Sequence, residues 1–243
     1  MAQALCLLFV FGQLADSEDF PKAMQERALA ATVRIVNRTR RIEGSGVLIG
    51  RKDKSTFILT ASHLLERGDR LEISTFSVKS YPDPDKVYSK AELVAFAKDM
   101  RDLALIRLTI DNPPAGSLVL CPPKLLPKDK EFEALSVGCG AGAIPLCLVE
   151  NIKGTKQIRR SERMKPALCW ESDSEQSPGR SGGPLLDRQG RVIGVASGVN
   201  EGKGYYAHAD EIQRWLKSTD FSFLVEEKDA PRPQQPPAKS AVR

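Results

Sequence analysis

The chain has 243 residues, 41% hydrophobic, 28% charged and 6% aromatic, enough to bury a sizeable core and too apolar for a wholly disordered or fibrous protein. Lys and Arg exceed Asp and Glu by only five, 36 against 31, and both signs are mixed along the chain. No basic run is interleaved with aromatics, so nucleic acid is not an expected partner, while the small positive surplus leaves acidic partners open.

Residues Leu5 to Phe11 form the only strongly apolar run, too short to span a bilayer as a helix. Gly12 bounds it, and Ala15, Asp16, Glu18 and Asp19 follow. It reads as the core of a signal peptide over residues 1–15, cleaved near Ala15, and so as export to the periplasm or beyond. A buried N-terminal segment is the plain alternative. Removal of that segment leaves Cys121, Cys139, Cys147 and Cys169. Four is an even number and fits an oxidising compartment, with three pairings open. Cys139 and Cys147 flank a Gly-Ala-Gly-Ala-Ile-Pro turn, where a local bridge and two buried free thiols are both reasonable. Two histidines and no paired CxxC exclude a structural zinc site, and no metal or organic cofactor is expected.

Pro21–Leu29 suits a leading helix. Short β-type runs follow at Thr32–Val36, Gly46–Ile49, Thr56–Thr60, Leu71–Phe76, Ala91–Phe96 and Leu103–Leu108. Asn112-Pro-Pro-Ala-Gly116 breaks the pattern as a linker. Six further runs come after it: Leu118–Cys121, Glu133–Val137, Cys147–Ile152, Ala167–Glu171, Val192–Ser197 and Tyr205–Ala209. Asp210–Lys217, with Asp210 as cap and Ile212, Trp215 and Leu216 on one face, predicts a terminal helix. Many short strands without alternating helices predict an all-β protein built of antiparallel barrels or sandwiches. The expected organisation is one unit over 21–112, a second over 117–225 and a Pro-rich disordered tail over 226–243.

Three segments carry chemistry. His63 follows the apolar strand Phe57-Ile-Leu-Thr-Ala-Ser. Asp102 opens the apolar strand Leu-Ala-Leu-Ile. Ser181 stands in Gly179-Arg-Ser181-Gly-Gly-Pro-Leu-Leu. A nucleophilic serine needs backbone N–H groups aimed at the oxyanion it creates, and glycines allow close approach to substrate; Gly179 and Ser181 can supply the two donors. Alone, His63 reads as a core histidine, Asp102 as a cap and the glycine run as a hairpin. Together they follow the chain order His, Asp, Ser of one known architecture.

The chain resembles a chymotrypsin-fold, trypsin-like serine protease, closest to bacterial peptidases of the HtrA (Deg) type. The matching pieces are Gly44-Ser-Gly-Val-Leu-Ile, Thr60-Ala-Ser-His63, Asp102-Leu-Ala-Leu, Gly179-Arg-Ser181-Gly-Gly-Pro-Leu and Val192-Ile-Gly-Val. The resemblance implies two six-stranded antiparallel β-barrels with the active site between them. It makes His63 the general base, Asp102 its orienting carboxylate and Ser181 the nucleophile of an enzyme cleaving polypeptides. Gly179 and Ser181 become the oxyanion hole, with Arg180 exposed between them. Ser197, Gly198 and Val199 become the strand on which substrate lies, and Gly204 lines the specificity pocket. Glu175, six residues before Ser181, stands where trypsin-like pockets keep the acid for Arg or Lys, but Val199 narrows the wall and favours small or medium apolar residues at the cleavage site. The residues after Val225 are too few for a PDZ domain, and no Ile-Val-Gly-Gly activation site is present. Two other readings compete. Gly179-Arg-Ser181-Gly-Gly also meets the esterase pattern Gly-x-Ser-x-Gly, but Gly182-Gly183-Pro184 starts no helix. A catalytically silent protease homologue that binds peptides would lack a triad residue, and here all three are present.

Overall fold

The computed structural model describes residues 20–97, 99, 101–110, 116–142, 144–159 and 165–225. The expected leader, most of the linker and the tail lie outside these residues. Helix α1, Lys22–Ala31, leads into β1 (Thr32–Asn37), β2 (Ile42–Lys52), β3 (Ser55–Ala61), β4 (Leu71–Thr75), β5 (Lys86–Tyr88), β6 (Ala91–Phe96) and β7 (Leu103–Thr109). These pair antiparallel in the order β5-β4-β1-β2-β3-β7-β6, and the sheet curls until β4 and β6 approach each other. Strands β8 (Phe132–Cys139), β9 (Pro145–Ile158), β10 (Ala167–Ser172), β11 (Pro184–Leu186), β12 (Val192–Asn200) and β13 (Lys203–His208) close a six-stranded barrel in the order β10-β13-β12-β11-β8-β9. Helix α2, Ala209–Lys217, ends the fold. Among the described residues, no helix is long and apolar enough to cross a membrane.

Strands β3 and β7 are apolar on both sides for a physical reason. In β3, Ile58 points into the first barrel, whereas Phe57 and Leu59 point into a second core shared with α1, α2 and the other barrel. In β7, Ala104 and Ile106 face inward and Leu103 and Leu105 face that shared core. The second barrel fills its own interior with Trp170, Leu185, Ile193 and Tyr206. A strand buried on both faces loses the polar alternation of an exposed sheet.

Three differences from the sequence expectation stand out. Strands β5 and β11 have three residues each and no hydrophobic period to reveal them, so the first sheet has seven strands. Leu118–Cys121 forms no strand of its own and makes a single parallel bridge, Leu120 to Val192. The cap of α2 is His208, whose Nδ1 accepts from the Asp210 N–H at 3.1 Å; Asp210 and Glu211 sit inside the first turn. Cys121, Cys139 and Cys147 are buried free thiols, so no pairing among the four cysteines forms. In the β8–β9 ladder Cys139 lies opposite Pro145 and Cys147 opposite Val137, which sets the two thiols in different rungs.

Candidate active site

The site forms where loops from the two barrels meet. His63 sits in a single turn, Ser62–Leu64, directly after β3. Asn37, at the end of β1, holds that turn: its Nδ2 donates to Leu64 O at 2.8 Å and to Asp69 Oδ2 at 2.6 Å. Arg40 donates to the His63 carbonyl at 3.2 Å. Asp102 immediately precedes β7 with φ at +54°, a left-handed conformation that Asp tolerates better than most residues. Its side chain is 3% exposed.

The Asp102 carboxylate accepts four hydrogen bonds. Oδ1 takes the Ser62 hydroxyl at 3.0 Å and the His63 backbone N–H at 2.9 Å. Oδ2 takes the Ser197 hydroxyl at 2.7 Å and faces His63 Nδ1 at 2.8 Å. An ionised carboxylate only accepts, so a neutral His63 facing it carries its proton on Nδ1 and has its lone pair on Nε2. Ser197 comes from β12 of the other barrel, so the pair is locked across the domain junction.

Ser181 follows a tight turn. Gly179 has φ at +91° and Gly182 at +86°, both in the region reserved for glycine. A Cβ at Gly182 would strike Ser45 O and Thr60 Oγ1. Ser45 of β2 grips this turn twice and ties it to β8 once. Its N–H donates to Ser181 O at 2.8 Å, its hydroxyl to Gly179 O at 2.8 Å, and that hydroxyl accepts from Cys139 N at 2.8 Å. The Gly179 and Ser181 N–H groups donate to no acceptor among the described residues.

His63, Ser181, Ser197, Gly198 and Val199 line one cleft of about 680 Å³. No hydrogen bond joins Ser181 to His63 among the described residues, and such contacts commonly tighten only when substrate binds. Lys156, Arg159 and Tyr205 also line the cleft. Lys203, with Lys156 and Tyr205, hydrogen-bonds Glu171 and draws its carboxyl down to about 2. That carboxylate is thus committed to its neighbours.

Glu175 and Gly204 are not among the residues lining this cleft, and the expectation of an exposed Arg180 is corrected. Glu175 is exposed and lies outside the cleft, because the adjacent Gln176 takes the buried direction and donates Nε2 to Tyr205 O at 3.3 Å. Gly204 is buried outside the cleft wall, against Ser174 O and the Gln176 side chain. Arg180 is 2% exposed rather than on the surface, since its side chain runs into the second barrel. Two groups escaped the sequence reading. The Ser62 hydroxyl and the Ser45 grip depend on loops far apart in sequence, and nothing local marks them.

A double barrel with a buried aspartate bonded to a histidine at the cleft and a Gly-x-Ser-Gly-Gly turn at the junction defines the chymotrypsin-like class of serine proteases. A trypsin-like peptidase domain is recognised over residues 44–195, and the chain belongs to that family. It is 29% identical over 173 residues to a probable periplasmic serine endoprotease, DegP-like, of Halomonas elongata, covering 69% of this chain and 31% of that protein. It is 25% identical over 166 residues to the serine protease Do-like HtrA of Bacillus subtilis, covering 63% of this chain and 33% of that protein. The chain thus spans about a third of the length of these relatives. Among solved structures, the inactive form of the Rv3671c protease superposes with a TM-score of 0.64 at 19% identity, covering 81% of this chain and 92% of the other. Its active form, from M. tuberculosis, superposes at 0.63 and 19%, covering 81% and 86%. At that identity the likeness is one of fold.

Proposed function

We propose that the chain is a serine endopeptidase acting on polypeptides through Ser181, His63 and Asp102 by an acyl-enzyme route. The observation that carries this reading is the Asp102 carboxylate held by four donors, with His63 Nδ1 at 2.8 Å and the ring in the same cleft as Ser181. With Nδ1 protonated, Nε2 accepts the Ser181 proton as Oγ attacks the scissile carbonyl carbon. The oxygen of the tetrahedral intermediate takes up the negative charge and receives hydrogen bonds from the Gly179 and Ser181 N–H groups. Collapse breaks the C–N bond as His63 returns the proton to the leaving amine. Water then repeats the sequence on the ester, with His63 again as base, and frees Ser181.

The cleft favours small or medium apolar side chains at the cleavage site. Val199 stands on its wall, no carboxylate lines it among the described residues, and Lys156 and Arg159 repel a basic side chain. Export agrees with the apolar run near the N-terminus and with the periplasmic assignment of the Halomonas relative. Labelling by a serine-directed fluorophosphonate tests the function directly. The wild-type chain is expected to label and to hydrolyse peptides, and Ser181→Ala to do neither. A wild-type protein that folds but neither labels nor cleaves would support a silent peptide-binding homologue instead.

A further inference from the structure

Arg180 separates the two N–H donors of the proposed oxyanion hole, and its side chain leaves the cleft altogether. Its Nη1 donates to Gly138 O and to Leu146 O, both at 3.2 Å, and its Nη2 to Ser136 Oγ at 2.8 Å. Gly138 and Leu146 face each other in the β8–β9 ladder, so one guanidinium grips both strands of that hairpin. A β-carbon at Gly138 would lie 3.1 Å from Arg180 Cα and Cβ, so glycine makes room for the passage. The same hairpin end supplies the Ala141 N–H, which donates to Pro178 O at 2.7 Å. In a trans peptide the N–H points opposite to the carbonyl. Holding Pro178 O toward Ala141 therefore turns the Gly179 N–H the opposite way, away from the hairpin.

We infer that Arg180 is a positioning residue that clamps the nucleophile turn onto the β8–β9 hairpin and so keeps the Gly179 and Ser181 N–H groups convergent on the oxyanion. The inference rests on the reading of Ser181 as nucleophile. Stability alone gives a poor account of this residue. No carboxylate lies within ion-pair distance of Arg180 among the described residues, and its Nε–H is buried without an acceptor. Burying a cation in this way costs more than burying an apolar chain of similar length. What the guanidinium adds is direction: a rigid fork of donors reaches three divergent acceptors at once, which a flexible apolar chain or a point charge does not. The Ser45 contacts hold the Gly179 and Ser181 carbonyls from the first barrel, and Arg180 holds the same turn from the second.

The test compares Arg180→Met, Arg180→Lys and Ser136→Ala in the full chain, with active sites titrated before kinetics. Arg180→Met is expected to lower kcat ~100-fold, the scale of losing an oxyanion donor, with KM changed less than about threefold. The fluorophosphonate labelling rate falls in parallel, because phosphonylation also places charge on that oxygen. Arg180→Lys recovers about tenfold of the loss, and Ser136→Ala, which removes one acceptor, lowers kcat by roughly threefold to tenfold. A fully packed Arg180→Met protein of lower melting temperature but unchanged kcat per titrated site overturns the inference. If Arg180→Met does not fold, unchanged kcat in both Arg180→Lys and Ser136→Ala overturns it equally. Activity surviving in Ser181→Ala refutes the nucleophile assignment; an inert Ser181→Ala beside a fully active Arg180→Met refutes the clamp alone.

Discussion

Asp102→Asn isolates the electrostatics of the site with almost no change of shape. Oδ1 faces the His63 backbone N–H at 2.9 Å, a donor that cannot rotate away. The asparagine oxygen must therefore take that side, while the Ser62 and Ser197 hydroxyls can reorient. Its NH₂ group then faces His63 Nδ1, now required to accept, so the ring proton moves to Nε2 and the base is lost. The expected fall in kcat is ~10⁴, taken from the general serine-protease template and equal to about 5.4 kcal/mol of lost transition-state stabilisation. KM for a peptide substrate changes little. Steady-state hydrolysis with an active-site-titrated protein measures it, with thermal unfolding as a check on folding. A folded Asp102→Asn protein retaining more than about a tenth of wild-type kcat would show that Asp102 does not set the His63 tautomer.

Four further outcomes are expected. Ser181→Ala lowers kcat by ~10⁶ with the fold intact, and most activity surviving in the purified protein would sink the assignment. Ser197→Ala removes a 2.7 Å hydrogen bond to Asp102 and is expected to destabilise by about 1.5–3 kcal/mol in denaturant titration; no loss would mean that this contact is idle. Burial holds the His208 imidazole below its ordinary 6.5, so the unfolded chain binds the proton more readily than the folded one. Its contribution to stability is therefore complete above that value and is lost as pH falls through the lowered folded-state value, and His208→Gln removes that slope while keeping the activity profile; a pH-independent difference between the two proteins would contradict it. On matched peptides ending in Val, Ala, Leu, Arg or Lys, kcat/KM favours the apolar set, and a preference for Arg of about tenfold that Glu175→Ala abolishes would reverse the pocket reading.

Local chemistry made most of the fold readable. Runs such as Leu103–Leu108 and Val192–Ser197 are apolar because both of their faces are buried, and that property is written in consecutive residues. The turn at Ser181 was equally legible, since the positive φ of Gly179 and Gly182 demands glycine at those positions. The order of His63, Asp102 and Ser181 pointed to the class. What no local pattern could reveal were contacts between distant segments. Gln176, not Glu175, turns inward because the Tyr205 carbonyl is there to accept from it. His208 caps α2 because β13 delivers its Nδ1 to the Asp210 N–H, displacing the aspartate that propensity favours. The side chain of Arg180 reads as exposed from its charge alone. Only the carbonyls of Gly138 and Leu146 and the hydroxyl of Ser136, brought together by closure of the second barrel, make a place for it inside. Charge and periodicity are properties of neighbours in the chain, whereas hydrogen-bond partners for a buried polar group are supplied by neighbours in space.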